Sequence, residues 1–414
     1  MKAMKNKIKA IFYIAFGITI IVLLYEGVSL LLFRTDLNNG ELGVPKDSAT
    51  YKLASESKIY RKSMMNACNS RISTLKDKLL VISLYTLIGC LILFDTTRLW
   101  IFNLCKKPIN FYYKTVRNIS KEQVAFTNIF VFIFLTLCLD DYLDKYLSIG
   151  KLSILPKIGM YIFLYSVFCP IVVITMFILL RMFGAQLILA FYISLILKNF
   201  YEIFIENDMS STLKKIPAET FSEPVQARLE ETHLEDKVFE DTDPTKETNA
   251  ALVGVEKDAR IEIYGDFDKL PEDQKDSVLL HEIGHAIDHS LLKKLCIYFS
   301  IYYFELLVIL FLHNQASHNF KCENISRDSI FILLSIVYFL SMRDWMLIFY
   351  KMSSQRAEIA ADLLAKESGF AKELANSLFM ISVTESSYIK PTWLYNALYA
   401  MHPSIYNRVE YLYK

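Results

Sequence analysis

Seven apolar runs, each near the ~20 residues a helix needs to cross a bilayer, constrain this chain more than any other feature. They fall at 10–33, 79–102, 124–147, 158–182, 184–205, 294–313 and 328–350. Within hydrocarbon every backbone N–H and C=O must be satisfied inside its own segment, so such runs are read as helices. The first run is too long for the ~7–15-residue core of a secretory signal, and no small-x-small cleavage pattern follows it, so a retained span is expected. The fourth and fifth runs are parted only by Arg181–Gly184, which reads as a tight helical hairpin.

Composition agrees: 53% of the 414 residues are hydrophobic and the net charge is only +1. That balance, with no basic tract interleaved with aromatics, argues against nucleic acid as a partner. The seven cysteines are scattered without C-x-x-C spacing. Cys90, Cys138 and Cys169 lie inside apolar runs and read as reduced packing residues. The charges flanking the spans are nearly balanced and do not set the orientation. The sequons Asn118-Ile119-Ser120 and Asn324-Ile325-Ser326 both fall on the N-terminal side of seven spans. This agrees with a lumenal N-terminus and an opposite, cytosolic face for the loop between the fifth and sixth spans.

The organisation expected is four-part: spans one to five with their loops (1–205), a cytosol-facing loop domain (206–293), spans six and seven (294–350), and a third-ligand helix with a tail (351–414). Residues 34–78 read as a polar helical loop. In the loop domain, Ser210–Asp243 is charge-rich and expected to be helical, interrupted at Pro217 and Pro224. Asn249–Val255 and Arg260–Tyr264 are strand-like, separated by Glu256-Lys257-Asp258. Asp140, Asp141, Arg343 and Asp344 sit in or at the ends of apolar runs. Such charges face protein or water, or mark where a span leaves the bilayer.

The chemistry lies in His281-Glu282-Ile283-Gly284-His285. Residues four apart share a helix face, so both imidazoles can reach one metal ion. Glu282 between them suits a general base for metal-assisted hydrolysis. A tetrahedral site needs a third protein ligand. His289 is unsuited, because on a straight helix it lies ~12 Å from His281 along the axis. The better candidate is Glu358, in Arg356-Ala357-Glu358-Ile359-Ala360-Ala361-Asp362. Asp362 shares its face and can accept the free N–H of a ligand histidine. Ala357, Ala360 and Ala361 would let the two helices approach closely.

With these elements in this order, the chain resembles the type I CAAX prenyl endopeptidases, integral-membrane zinc metalloproteases. Four motifs carry the resemblance: His281-Glu282-Ile283-Gly284-His285; Arg356-x-Glu358-x-x-Ala361-Asp362-x-x-Ala365; Asn249-Ala250-x-x-x-Gly254; and His402-Pro403 followed by Arg408. The fold implied is mainly α and polytopic. About seven transmembrane helices enclose a chamber, and a small α+β zinc-metalloprotease domain is attached. The resemblance implies one Zn2+ held by His281, His285 and Glu358, with Glu282 as base and later proton donor. It implies that His402 and Arg408 bind the substrate carbonyl and stabilise the oxyanion, and that Asn249 and the Ala250 backbone form an edge strand for an extended peptide.

The implied activity is removal of the C-terminal -aaX tripeptide from prenylated C-a-a-X proteins. The implied place is the endoplasmic reticulum or inner nuclear membrane, in contact with the lipid bilayer and with the site facing the cytosol. A quality-control protease of the HtpX type shares the metal motifs but has fewer spans before them. A scaffold with a dead zinc site is the rival from another class, and intact Glu282 argues against it. Two positions depart from the family's pattern: Leu398-Tyr399-Ala400-Met401 replaces an aromatic-His-Tyr-Ser run, and Gln355 stands where a second Arg is usual.

Overall fold

The computed structural model describes residues 2–106, 120–147, 154–204, 213–241, 249–255, 258–265, 270–320 and 324–414. The N-terminal half is helical: α1 (Lys2–Asn38), α2 (Ala49–Glu56), α3 (Tyr60–Leu93), α4 (Asp95–Lys106), α5 (Lys121–Leu147), α6 (Ile154–Phe163), α7 (Cys169–Phe183) and α8 (Ala185–Phe204). Strands β1 (Leu213–Lys215), β2 (Val238–Asp241), β3 (Asn249–Val253) and β4 (Arg260–Tyr264) follow, with the short α9 (Glu223–Glu231) between β1 and β2. The C-terminal part comprises α10 (Glu272–Ile287), α11 (Ser290–His318), α12 (Arg327–Ser341), α13 (Arg343–Met346), α14 (Ile348–Glu367), α15 (Ala371–Thr384), α16 (Trp393–Tyr399) and α17 (Ile405–Tyr413).

The described parts of the apolar runs are mostly helical, several of them divided between successive helices. Among the described residues four helices are long and apolar enough to cross a membrane: Met4–Asn38, Ile158–Phe183, Ala185–Ile203 and Ser290–His318. Two further pairs pass together but are bent, by 86° between α3 and α4 and by 51° between α12 and the α13–α14 stretch. Within the third run, Glu122–Leu137 is a shorter apolar helix. Gly184 alone, at φ +53, joins α7 to α8. Asp140 and Asp141 have side chains outside the described residues, as do Asn118 and Ile119 of the first sequon. Asn324 of the second is exposed, and Ser326 caps α12 by accepting from Ser329 N.

The chain forms two compact units, one of Met1–Ile20, Lys78–Leu195 and Tyr302–Trp345, the other of Ile21–Asp77, Ile196–Ile301 and Met346–Lys414. The first is a helical assembly whose outer face carries large exposed apolar side chains such as Ile14, Ile162, Phe191 and Phe304. Bare aliphatic surface of that kind belongs against lipid. Two of its interior charged groups, Arg98 and Glu305, have charged partners. Arg98, buried at the α3–α4 bend, donates to the Ile92 carbonyl at 2.6 Å and reaches Asp95. Glu305, 1% exposed within α11, accepts from Arg343 Nε at 2.8 Å and from the Tyr338 hydroxyl at 3.2 Å. Arg343 is therefore spent on an ion pair beside the α12–α13 break.

The second unit holds a four-stranded sheet of order β1-β2-β4-β3. Strand β2 runs parallel to β4, while β1–β2 and β3–β4 are antiparallel. The charge-rich stretch 213–241 is thus only partly helical, contrary to expectation. Pro217 and Pro224 confine its helix to α9, and the flanking residues pair as β1 and β2. Along β4, Ile261 and Ile263 are buried on the face shared with Ala250 and Val238, where α10 packs. The alternate residues Arg260, Glu262 and Tyr264 form a hydrogen-bonded row on the other face. Helix α10 then packs on α14 and α15, and α15 on α17, around Leu279, Ile283, Ala361, Ala365, Phe379 and Val409, each at most 1% exposed.

Candidate metal centre and its edge strand

Helix α10 starts after Pro271 with Glu272 and Asp273 in its first turn, where carboxylates complement the helix dipole. It buries Val278 to Gly284. His281, Glu282 and His285 therefore lie on the inward part of a well-packed helix. Across from them α14 presents Glu358 and Asp362, one turn apart. Gly284 and Ala361 make this approach possible: a Cβ on Gly284 would lie 2.7 Å from the Ala361 Cα.

The donor atoms converge. His281 Nε2 and His285 Nε2 each lie 3.4 Å from an oxygen of Glu358. Ligand atoms of His281, His285 and Glu358 all fall within 4.8 Å of one another. The other imidazole nitrogens are turned away and held. His281 Nδ1 is 3.0 Å from Asp362 Oδ1, and His285 Nδ1 is 3.3 Å from Ser290 Oγ. Ser290 in turn donates to Asp288 at 2.9 Å. Each ring thus directs Nε2 to the centre, an arrangement typical of metal-ligating histidines. Two imidazoles and one carboxylate form a donor set that suits a divalent zinc-like ion.

Arg408 of α17 is buried and grips Asp362 with two nitrogens, at 2.9 and 2.6 Å, while Nη1 lies 3.4 Å from Glu358. His402 places Nδ1 3.1 Å from Glu358 Oε2, yet its side chain is 64% exposed. Burial works against charge on His281, but the Asp362 and Glu358 carboxylates outweigh it and push the imidazole up to about 9. His289 stands apart: α10 has ended, its φ is +48, and it is exposed outside the metal group.

Among the described residues strand β3 is an edge of the sheet. Ile261 on β4 donates its N–H toward β2, to the Lys237 carbonyl at 2.9 Å. Its partner across β3–β4, Leu252, therefore points its backbone groups outward, as does Ala250 two residues earlier. The outward Leu252 N–H donates to Glu282 Oε2 at 2.8 Å. The Asn249 side chain is exposed, and the Ala250 side chain is buried beneath the sheet. A cavity of about 550 Å3 opens beside this edge, shared by His285 and Leu252 and walled by Leu234, Ala259 and Leu291.

The structure thus brings His281, Glu282, His285, Glu358, Asp362, His402 and Arg408 together. Sequence reasoning missed Ser290 and the Leu252 amide. The first depends on the turn that ends α10, the second on strand register.

The profile of peptidase family M48 matches residues 223–414. Over that segment, just under half of the chain, the sequence is similar to peptidase family M48. It includes His281, Glu282, His285, Glu358, Asp362, His402 and Arg408, so every metal-centre residue described above lies within the stretch that resembles a metallopeptidase family. The fold as a whole is similar to the crystal structure of S. mikatae Ste24p, with a TM-score of 0.55 and 18% identity over 97% of this chain and 98% of that one. No curated protein matches the sequence.

Proposed function

We propose that this protein is an M48-type, zinc-dependent integral-membrane endopeptidase that removes the C-terminal -aaX tripeptide from prenylated C-a-a-X proteins at a cytosol-facing site of the endoplasmic reticulum. The observation that carries the proteolytic reading is the contact between the Leu252 N–H and Glu282, which puts a free strand edge directly at a general base. His281, His285 and Glu358 would hold the ion. When bound, such an ion polarises a carbonyl and makes water easier to deprotonate.

A peptide laid along β3 bonds to the outward groups of Ala250 and to the Leu252 carbonyl, the Leu252 N–H being held by Glu282, which fixes its main chain without reading its side chains. Asn249, exposed at the start of the strand, borders the same edge. Glu282 takes a proton from the attacking water and returns it to the departing amine. His402, accessible beside Glu358, donates to the carbonyl oxygen as negative charge gathers there. Arg408 is too buried for broad contact with substrate. It adds positive field and locks Asp362, which holds His281.

The C-a-a-X reading is supported by five apolar runs before the motif and by the whole-length likeness to the Ste24p fold. The apolar cavity beside His285 also suits aliphatic residues next to a cut bond. A prenyl chain partitions into lipid at ~0.8 kcal/mol per buried CH2, which brings such a substrate to a membrane enzyme.

The test is cleavage of a farnesylated C-a-a-X peptide beside its unprenylated twin and unfolded casein, by wild type and Glu282→Gln, with zinc measured in both. Tripeptide release from the farnesylated peptide by wild type only, with zinc retained in the variant, is expected. Equal cleavage of all three substrates by wild type would instead make this an HtpX-like general protease.

A further inference from the structure

The α14 helix does more than supply Glu358. Lys351, Gln355 and Glu358 recur at helical spacing on one face, and each meets the segment that carries His402. Lys351 Nζ donates to the Leu398 carbonyl at 2.5 Å. Gln355 Nε2 donates to the carbonyls of Asn396, at 3.1 Å, and Ala400, at 2.9 Å. Gln355 Oε1 accepts from the Asn396 amide at 3.3 Å. Glu358 then meets His402.

The Leu398 and Ala400 carbonyls lie at the C-terminal end of α16, where carbonyls lack partners within the helix, while the Asn396 carbonyl also accepts from Ala400 N at 3.0 Å. Carbonyls only accept, so the side-chain NH2 of Gln355 must face them, and both its hydrogens are used. The segment beyond is short and stiff. His402 precedes Pro403, which restricts its backbone to extended conformations. Ser404 then caps α17 by accepting from Asn407 N at 3.2 Å. His402 is thus suspended between an anchor at Ala400 and an anchor at Ser404. Although its side chain is mostly exposed, little else fixes where it points.

We propose that Gln355 is a positioning residue for His402: by binding the end of α16 it sets the imidazole beside Glu358, and Lys351 assists one turn earlier. The inference rests on the oxyanion role given to His402 above. Gln355 itself touches neither metal ligand nor substrate. Its replacement should lower turnover while leaving metal and substrate binding in place.

The experiment uses the full-length enzyme in liposomes, with a farnesylated C-a-a-X peptide and unfolded casein as probes and metal content measured throughout. Gln355→Leu keeps similar bulk and removes all four bonding capacities. It should lower kcat by about 10- to 100-fold, the scale of a small misplacement of a reacting group, with KM and metal content unchanged. Gln355→Arg, which can still donate to both carbonyls, should recover most of that loss. Combined with His402→Ala, Gln355→Leu should add nothing, because both act through one group.

An additive double variant, or a Gln355→Leu enzyme with wild-type kcat, overturns the proposal. So does a Gln355→Leu enzyme that is equally slow and not recovered by Arg. If Gln355→Leu does not accumulate, Lys351→Met takes its place in the same cycle, expected to be non-additive at smaller amplitude and overturning the proposal if additive. A silent His402→Ala would instead refute the role of His402, and failure of wild type to cut the farnesylated peptide while cutting casein would refute only the substrate.

Discussion

Gly284 and Ala361 set the distance between the two helices that carry the metal-site residues: no Cβ fits on residue 284 without meeting the Ala361 backbone. Gly284→Ala should push α10 and α14 apart. The expected cost is about 1–3 kcal/mol of stability, as for other overpacked interiors, with a larger loss in metal affinity because Glu358 retreats from both histidines. Thermal unfolding and metal titration of the one variant check both parts.

Asp362 is fully buried between His281 and Arg408. Asp362→Ala leaves the Arg408 charge without its main partner, at about 3–5 kcal/mol by analogy with broken buried pairs. It also frees the His281 ring, and metal affinity should fall about 10- to 100-fold. Ser290→Ala should weaken metal binding in the same direction through His285 and leave stability nearly unchanged. Competition against a chelator measures both.

The pH response of the metal-stripped enzyme should carry the mark of His281. Its folded value, about 9, lies above the ordinary 6.5. The stabilisation it brings is therefore full below 6.5 and is lost as pH rises through about 9. Metal must bind the neutral ring, so the margin by which metal stabilises the enzyme over its stripped form should widen across that same window, and loading should release about one proton near neutrality. Melting curves with and without chelator give the two slopes. Calorimetry in buffers of different ionisation enthalpy gives the proton, and Asp362→Asn should flatten the stripped profile.

Glu305 and Arg343 form an ion pair inside the helical unit. Glu305→Leu removes the buried carboxylate that Arg343 Nε meets and should lower Tm by several degrees in detergent. Adding Arg343→Met should restore part of the loss, since a pair whose carboxylate is buried can be replaced by apolar bulk more cheaply than it can be halved. If the double variant melts no higher than the single one, the pairing does not account for the loss.

Much of the site was legible because helical and strand periodicities are local properties. Four-residue spacing on α10 and α14 put His281 with His285 and Glu358 with Asp362, and the alanines around Glu358 signalled close approach. The alternating or apolar runs at 249–255 and 260–264 foretold two strands, which the structure forms over Asn249–Val253 and Arg260–Tyr264. What escaped depends on long-range partners. No local pattern says that Lys214 pairs with Glu240 across β1 and β2. The use of Arg343 depends on Glu305, 38 residues away in the chain. Gln355 looked like a mere departure in sequence, because its partners are carbonyls and carbonyls have no letter code.

The outward edge of β3 also implies a rule about time. A strand edge can be extended only by a chain that is not, at that moment, hydrogen-bonded to itself. For a ligand tail that flickers between ordered and extended forms, the rate of capture here is scaled by the fraction of time spent extended. Two tails with identical residues at the bond to be cut would then be processed at different speeds if one is tethered closer to a folded body.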